Sequence, residues 1–277
     1  MFEKIAIVGL GLMGGSLAAA CRKKFPKAHI VGISRSREAL ALAKKKHWVH
    51  EATSDVAQGA LNADLIILCT PVDTFASYLK KIDLVCAKGA LVMDVGSVKA
   101  SVLKGANARK WKRLSFVGCH PMVGSHKRGI QAVNPALYEG GLVLLTRDSK
   151  TCVASYKQAK AFWSRFSSKI MEMSPAVHDR FVGEVSHLPH AIAVCLMHAV
   201  STSALQVAST GFRDTTRIAA AASSIWQPIF QANKREVLLS IRRFEKELGQ
   251  FKKLLQAADP NGLCRYLDAA QKRRCNL

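Results

Sequence analysis

A short apolar strand, Lys4–Val8, runs straight into Gly9-Leu-Gly11-Leu-Met-Gly14-Gly15-Ser16 and then into a second apolar stretch with helical spacing. This opening limits the fold more than any other feature of the chain. A G-x-G-x-x-G turn between a strand and a helix needs its first glycine for the tight turn. The second lets backbone approach a pyrophosphate, and the third lets helix and strand pack closely. The helix that follows presents unpaired N–H groups and a positive dipole end to an anion. Gly9, Gly11, Leu12, Met13 and Gly14 are therefore expected to bind a nicotinamide dinucleotide.

The rhythm that follows extends this unit. Runs at Lys4–Val8, His29–Ile33, Asp64–Cys69, Ala90–Val95, Phe116–Gly118, Leu142–Thr146 and Lys169–Met173 read as strands. Most are near-continuous apolar runs, as parallel strands covered on both faces require. Stretches such as Ser16–Lys24, Glu38–Lys46, Lys99–Lys110 and Thr151–Phe166 are long enough to cross over between them as helices. Past Ser174-Pro175 strand-like alternation stops, and apolar residues recur at helical spacing, as at Val237, Ile241, Phe244, Leu248, Phe251 and Leu255. Breaks are expected near Gly211, near Gln227-Pro228 and at Asp259-Pro-Asn-Gly262. The expected fold is an α/β Rossmann-type doubly wound sheet over residues 1–174, followed by an all-α domain over 175–277.

The end of the second strand discriminates between dinucleotides. An acidic residue about 20 positions past the glycines binds the ribose 2′-hydroxyl of NAD, whereas an arginine there accommodates the 2′-phosphate of NADP. This chain reads Ser34-Arg35-Ser36-Arg37, with no acid before Glu38. NADP is favoured over NAD, with Arg35 as phosphate ligand, Ser34 and Ser36 as hydrogen-bonding partners and Arg37 in reserve. Thr70 and Pro71, at the exit of the Asp64–Cys69 strand, fall on the same carboxyl edge and are placed beside the cofactor.

Two further strand ends carry chemistry. Asp94-Val-Gly-Ser97-Val-Lys99 and Gly118-Cys-His120-Pro-Met-Val-Gly124 both reach the carboxyl edge, which brings Ser97 and His120 towards the nicotinamide. A histidine at such an edge suits acid–base work, because its ordinary pKa lies close to operating pH. In the helical half, Ser186-His187-Leu-Pro-His190 and Gly211-Phe-Arg213-Asp-Thr-Thr-Arg217 are polar clusters between apolar flanks, and buried polar groups must find partners or face a cleft. His187 and His190 share one helix face with Glu184, a spacing that admits a metal, but Pro189 distorts the turn and no metal is expected.

Composition narrows the partners. Forty-one Lys and Arg against 19 Asp and Glu give a formal net charge of +22, enough to attract polyanions, membrane surfaces or anionic metabolites. The cations are scattered and no aromatic residues interleave with them as a base-stacking platform requires, so a solvated basic surface is preferred to a nucleic-acid partner. Eight cysteines without a Cys-x-x-Cys pair suggest neither a disulfide framework nor a zinc site. No apolar run approaches the roughly 20 residues of a membrane helix, and the N-terminus lacks the pattern of a secretory signal. A cytoplasmic location without membrane attachment is expected.

Taken in order, GLGLMGGS, CTPV, DVGSVK, GCHPMVG, HDR at 178–180, SHLPH, GFRDTTRIA, Trp226-x-x-Ile229 and Asn233-Lys234 resemble the prephenate/arogenate dehydrogenase family of tyrosine biosynthesis over nearly the whole chain. The resemblance implies a helical half that builds a homodimer and closes the active site. It implies oxidative decarboxylation of prephenate or arogenate by hydride transfer to NADP. His120 would take the proton of the ring hydroxyl, Ser97 would support that hydroxyl or the nicotinamide, and Arg217 would bind a substrate carboxylate. His187 and His190 would line or brace the cleft. Where family members often carry an acid after the His-Pro motif, this chain has His126 next to the two cations Lys127 and Arg128, which favours anionic substrate contacts and leaves prephenate versus arogenate open. Competing readings are a β-hydroxyacid-type dehydrogenase of similar architecture and a non-enzymatic protein that binds dinucleotides or polyanions.

Overall fold

The computed structural model describes residues 2–124 and 129–277. Eight strands form one sheet: β1 (Lys4–Val8), β2 (His29–Ile33), β3 (Glu51–Thr53), β4 (Leu65–Leu68), β5 (Ala90–Asp94), β6 (Leu114–Pro121), β7 (Val143–Thr146) and β8 (Ile170–Met173). Their spatial order is β3-β2-β1-β4-β5-β6-β7-β8. The chain winds outward from β1 to β3 on one side, then crosses back to β4 on the other. That reversal leaves a crevice at the carboxyl ends of β1 and β4, where ligands of open α/β sheets bind.

The helices of this half are α1 (Leu12–Lys24), α2 (Arg37–Lys45), α3 (Val56–Ala60), α4 (Phe75–Val85), α5 (Ala100–Ala106) and α6 (Val153–Trp163). They cover both faces of the sheet, and two apolar clusters result. One centres on Ile5, Ile7, Leu17, Ile67 and Trp163. The other centres on Ala6, Val8, Ile66, Leu68 and Val92. Alternate residues of β1 and β4 thus point to opposite clusters, which is why both strands are apolar throughout their buried stretches, 5–8 and 65–68.

Three expectations need correction. The first six strands are parallel, but β7 runs antiparallel to β6, and β8 is parallel to β7. Among the described residues only a single 3₁₀ turn, Ile130–Ala132, lies between β6 and β7, and the chain turns back on itself, as an antiparallel pair allows. In consequence β6 extends to Pro121, with His120 paired to Leu144, so His120 sits inside a strand and not on the loop after it. The break expected at Gln227-Pro228 is absent, because Pro228 lies within a continuous helix. Strand β3, only three residues long and partly exposed, carries too little apolar signal to be read from sequence.

From residue 175 the described structure is helical: α7 (Pro175–Val182), a single π turn (Gly183–His187), α8 (Leu188–Ala199), α9 (Thr210–Thr216), α10 (Ser223–Ala232), α11 (Lys234–Gln256) and α12 (Pro260–Cys275). Ser174 caps α7 by accepting from the Val177 N–H, and Asp259 caps α12 by accepting from Gly262 N–H. None of the helices among the described residues is long and apolar enough to cross a membrane.

Candidate active site

A cleft of about 500 Å³ opens at the crevice between β1 and β4, within the size range of small-molecule sites. Gly9, Gly11, Ser34, Arg35, Ser36, Thr70 and Pro71 all line it. Gly9 has φ +100°, and a Cβ there would stand 2.8 Å from the Cys69 carbonyl oxygen, so only glycine fits. A Cβ on Gly14 would lie 1.9 Å from the Gly9 carbonyl oxygen, which makes that residue a packing requirement between helix and turn. Gly11 caps α1 without a side chain and faces open space, leaving the helix N-terminus accessible to a pyrophosphate. Leu12, Met13 and Gly14 form the first turn of α1 and do not line the cleft.

At the rim of the cleft the Ser34 hydroxyl accepts from the Ser36 N–H at 3.2 Å, and the Ser36 hydroxyl caps α2 by accepting from Ala39 N–H at 3.2 Å. Each hydroxyl thus keeps its own O–H as a donor. Arg35 is exposed at this rim. Glu38, the nearest acid in sequence, accepts from the Gln131 side-chain amide at 2.9 Å.

Further along the sheet, His120 is buried on β6, and its Nδ1 lies 2.9 Å from Nε2 of His178 on α7. His178 Nδ1 lies 2.8 Å from Asp179 Oδ1. The Asp179 carboxylate is itself anchored at the start of α5, accepting from Lys99 N–H at 2.7 Å and from Ala100 N–H at 2.9 Å. Asn233 Nδ2 donates to the main-chain oxygen of Asp179 at 2.8 Å and stands 3.0 Å from His187 Nδ1. His187 meets the Trp226 ring edge-on, and His190 stacks on the same ring at 3.6 Å between centroids. A continuous path of side chains therefore joins the sheet edge to α7, α8, α10 and the start of α11.

Burial holds all four histidines neutral. It is the main cause that lowers His120 well below the usual histidine range, assisted by the charge of Lys99, and it also lowers His178 and His190. His187 is pushed down to about 4. A neutral imidazole carries one donor and one acceptor nitrogen, so His120 is able to take up a proton.

A buried ion pair braces the same edge. Lys99 Nζ lies 2.7 Å from Asp94 Oδ2, with both side chains fully buried. Asp94 also accepts from Cys119 N–H, next to His120, and from Gly96 N–H, next to Ser97. Lys99 further donates to the Gly96 and Val98 carbonyls, which flank Ser97. The half-buried Ser97 and the strand of His120 are thus tied to one carboxylate.

Arg217 is exposed on the 3₁₀ turn that follows α9, and this turn packs against α8, the helix of His190. Among the described residues no hydrogen bond or ion pair joins Arg217 to the histidine path. His126 lies outside the described residues. Sequence reasoning assigned no role to His178, Asp179, Lys99 or Asn233. The only signal for them was their place inside the motifs HDR, DVGSVK and Asn233-Lys234, since nothing in local sequence shows that α7 meets the start of α5.

Two family descriptions match in succession: the prephenate dehydrogenase nucleotide-binding domain over residues 17–172 and the prephenate dehydrogenase dimerization domain over residues 174–269. The chain belongs to the prephenate dehydrogenase family. Among its relatives, the prephenate dehydrogenase of Bacillus subtilis is 32% identical over all of this chain and 76% of its own length. The crystal structure of the prephenate dehydrogenase from A. aeolicus, in complex with hydroxyphenyl propionate and NAD+, superposes with a TM-score of 0.92 at 33% identity, covering 100% of this chain and 98% of that one. The Synechocystis arogenate dehydrogenase gives a TM-score of 0.84 at 28% identity over 99% of both chains.

Proposed function

We propose that this protein oxidatively decarboxylates prephenate or arogenate, passing a hydride to NADP in preference to NAD, as a homodimer in tyrosine biosynthesis. The observation that carries this reading is the neutral, buried His120 near the end of β6, in the same sheet that carries the dinucleotide cleft, connected through His178 to a carboxylate. The cleft fits a dinucleotide because Gly11 leaves open space at the head of α1 and Gly9 admits close approach. A bound nicotinamide supplies the hydride acceptor.

The chain's own residues do the rest. His120 withdraws the proton of the ring hydroxyl as hydride leaves the carbinol carbon. Loss of carbon dioxide from the opposite ring position then aromatises the ring, and His120 returns its proton to the phenolate oxygen, so no net proton is consumed. Ser97 supports the hydroxyl, His187 and His190 line or brace the substrate pocket, and His126 is a further substrate-binding residue. Arg217 binds a carboxylate through its planar fork. Gly9, Gly11, Thr70 and Pro71 seat the dinucleotide, Leu12, Met13 and Gly14 offer it the free N–H groups of the first turn of α1, and Ser34, Arg35 and Ser36 read the 2′-phosphate.

NADP preference is supported by Arg35 at the cleft rim and by the engagement of Glu38 with Gln131. Eight free cysteines suit the reducing cytoplasm. We divide the chain into a cofactor domain, 1–174, and a substrate and dimerisation domain, 175–277, because strands stop at Met173. Assay of both substrates against both cofactors, following the absorbance of the reduced cofactor and the release of carbon dioxide, tests the reading. Turnover with prephenate or arogenate and a preference for NADP are expected. No turnover with either substrate overturns it.

A further inference from the structure

We infer that Asp179 and Asn233 are positioning residues that fix opposite tautomers on two histidines of one site, making His120 Nε2 a proton acceptor and His187 Nε2–H a donor. This rests on the proposed role of His120, and hydrogen-bond valence carries it.

Both Asp179 oxygens accept backbone N–H groups, and Oδ1 also faces His178 Nδ1. A carboxylate only accepts, so His178 must carry its proton on Nδ1. His178 Nε2 is then a lone pair. The nitrogen facing it at 2.9 Å, His120 Nδ1, must be the donor. One imidazole proton is thereby spent, and His120 is left with an unprotonated Nε2.

A second branch starts from the same residue. The main-chain oxygen of Asp179 can only accept, so the Asn233 atom bonded to it is the amide nitrogen, and the amide orientation is settled. That nitrogen's other hydrogen faces His187 Nδ1, which must accept. His187 therefore carries its proton on Nε2, an atom that is buried with no partner among the described residues. Buried donors without partners are rare and call for an explanation. An oxygen of the bound substrate supplies the missing acceptor. His187 is joined to His120 through Asn233, Asp179 and His178, so donor and acceptor belong to one network of side chains.

The arrangement also accounts for how a histidine so disfavoured as a cation works as a base. The charged groups facing His120 are Lys99, which opposes protonation, and the buried Asp94 paired with it; His178 and His187 are neutral. When His120 takes a proton, the positive charge is shared through His178 towards Asp179, the only carboxylate on the relay.

Long-range ¹H–¹⁵N spectra of the intact, ¹⁵N-histidine-labelled protein read each tautomer directly and need no turnover. Nδ1–H on His120 and Nε2–H on His187 are expected. Nε2–H on His120, or Nδ1–H on His187, overturns the inference even if the enzyme is active, while the expected tautomers with no turnover leave it standing and reject the substrate assignment. Asp179→Ala provides the functional arm, because it removes the acceptor that holds the proton on His178 Nδ1. His120 should then lose its single tautomer and show Nε2–H beside Nδ1–H, and kcat should fall roughly 10²- to 10⁴-fold with KM within about threefold. The acid limb of kcat should also move to lower pH. An unchanged tautomer, or an unchanged acid limb with full kcat, contradicts it.

Discussion

His187 is fully buried and holds its pKa near 4, against an ordinary 6.5. The unfolded chain therefore takes up a proton at mildly acidic pH that the folded chain refuses. Stability contributed by the neutral histidine is complete above pH 6.5 and is lost progressively as pH falls towards 4, by roughly 3 kcal/mol over that span. His120, His178 and His190 are shifted in the same direction and add to the loss. Urea midpoints measured between pH 7 and pH 4.5 should decline steeply, and His187→Gln should flatten the slope; a level profile contradicts the burial argument. Lys99→Met tests the ion pair at the same scale. It strands the Asp94 carboxylate in a dry site and should cost about 3–5 kcal/mol of stability. At the cofactor rim, Arg35→Ala should weaken NADPH by about tenfold or more relative to NADH, as expected for loss of a charge-assisted phosphate contact. Equal losses for both cofactors would reject the NADP assignment.

Elements whose apolar period is decided by the sheet alone were plain in the sequence. β1, β2, β4 and β5 are buried on both faces, and their runs match the expected boundaries to within a residue or so. Legibility fails where pairing partners decide the outcome. The extension of β6 to His120 and Pro121 exists because β7 returns antiparallel against it, and no local pattern in Gly118–Pro121 announces that partner. The π turn at Gly183–His187 is of the same kind. Pro189, just inside α8, cannot donate a backbone N–H, and the helix widens one turn earlier to carry His187 into its buried position. For the site, His120 and the glycine loop could be named from sequence because their motifs carry their own geometry. His178, Asp179 and Asn233 could not, because their contacts arise only when α7 docks at the head of α5. The glycine turn itself allows a sharp check: Gly9→Ala places a side chain at φ +100° and against the Cys69 carbonyl, and should abolish dinucleotide binding while the helical half stays folded.

Across the whole molecule, the two halves are unequal in burial. α1 buries eight of its 13 residues, whereas the 23-residue α11 buries only Val237 and Ser240, and the 12-residue α8 only His190 and Ala193. Leu238, Leu248 and Leu255 on α11 are each about half exposed. A helix with an apolar stripe must cover it, and in the proposed homodimer a second copy of the chain would do so. Sedimentation equilibrium should give a dimer, and a monomer at micromolar concentration would contradict this part of the account. Everything else converges on the imidazole at position 120. The most direct test is single-turnover kinetics of His120→Ala alongside NADPH binding followed by fluorescence. Hydride transfer should slow by roughly 10²- to 10⁴-fold while the affinity for NADPH is retained. Hydride transfer close to the wild-type rate would contradict the central claim.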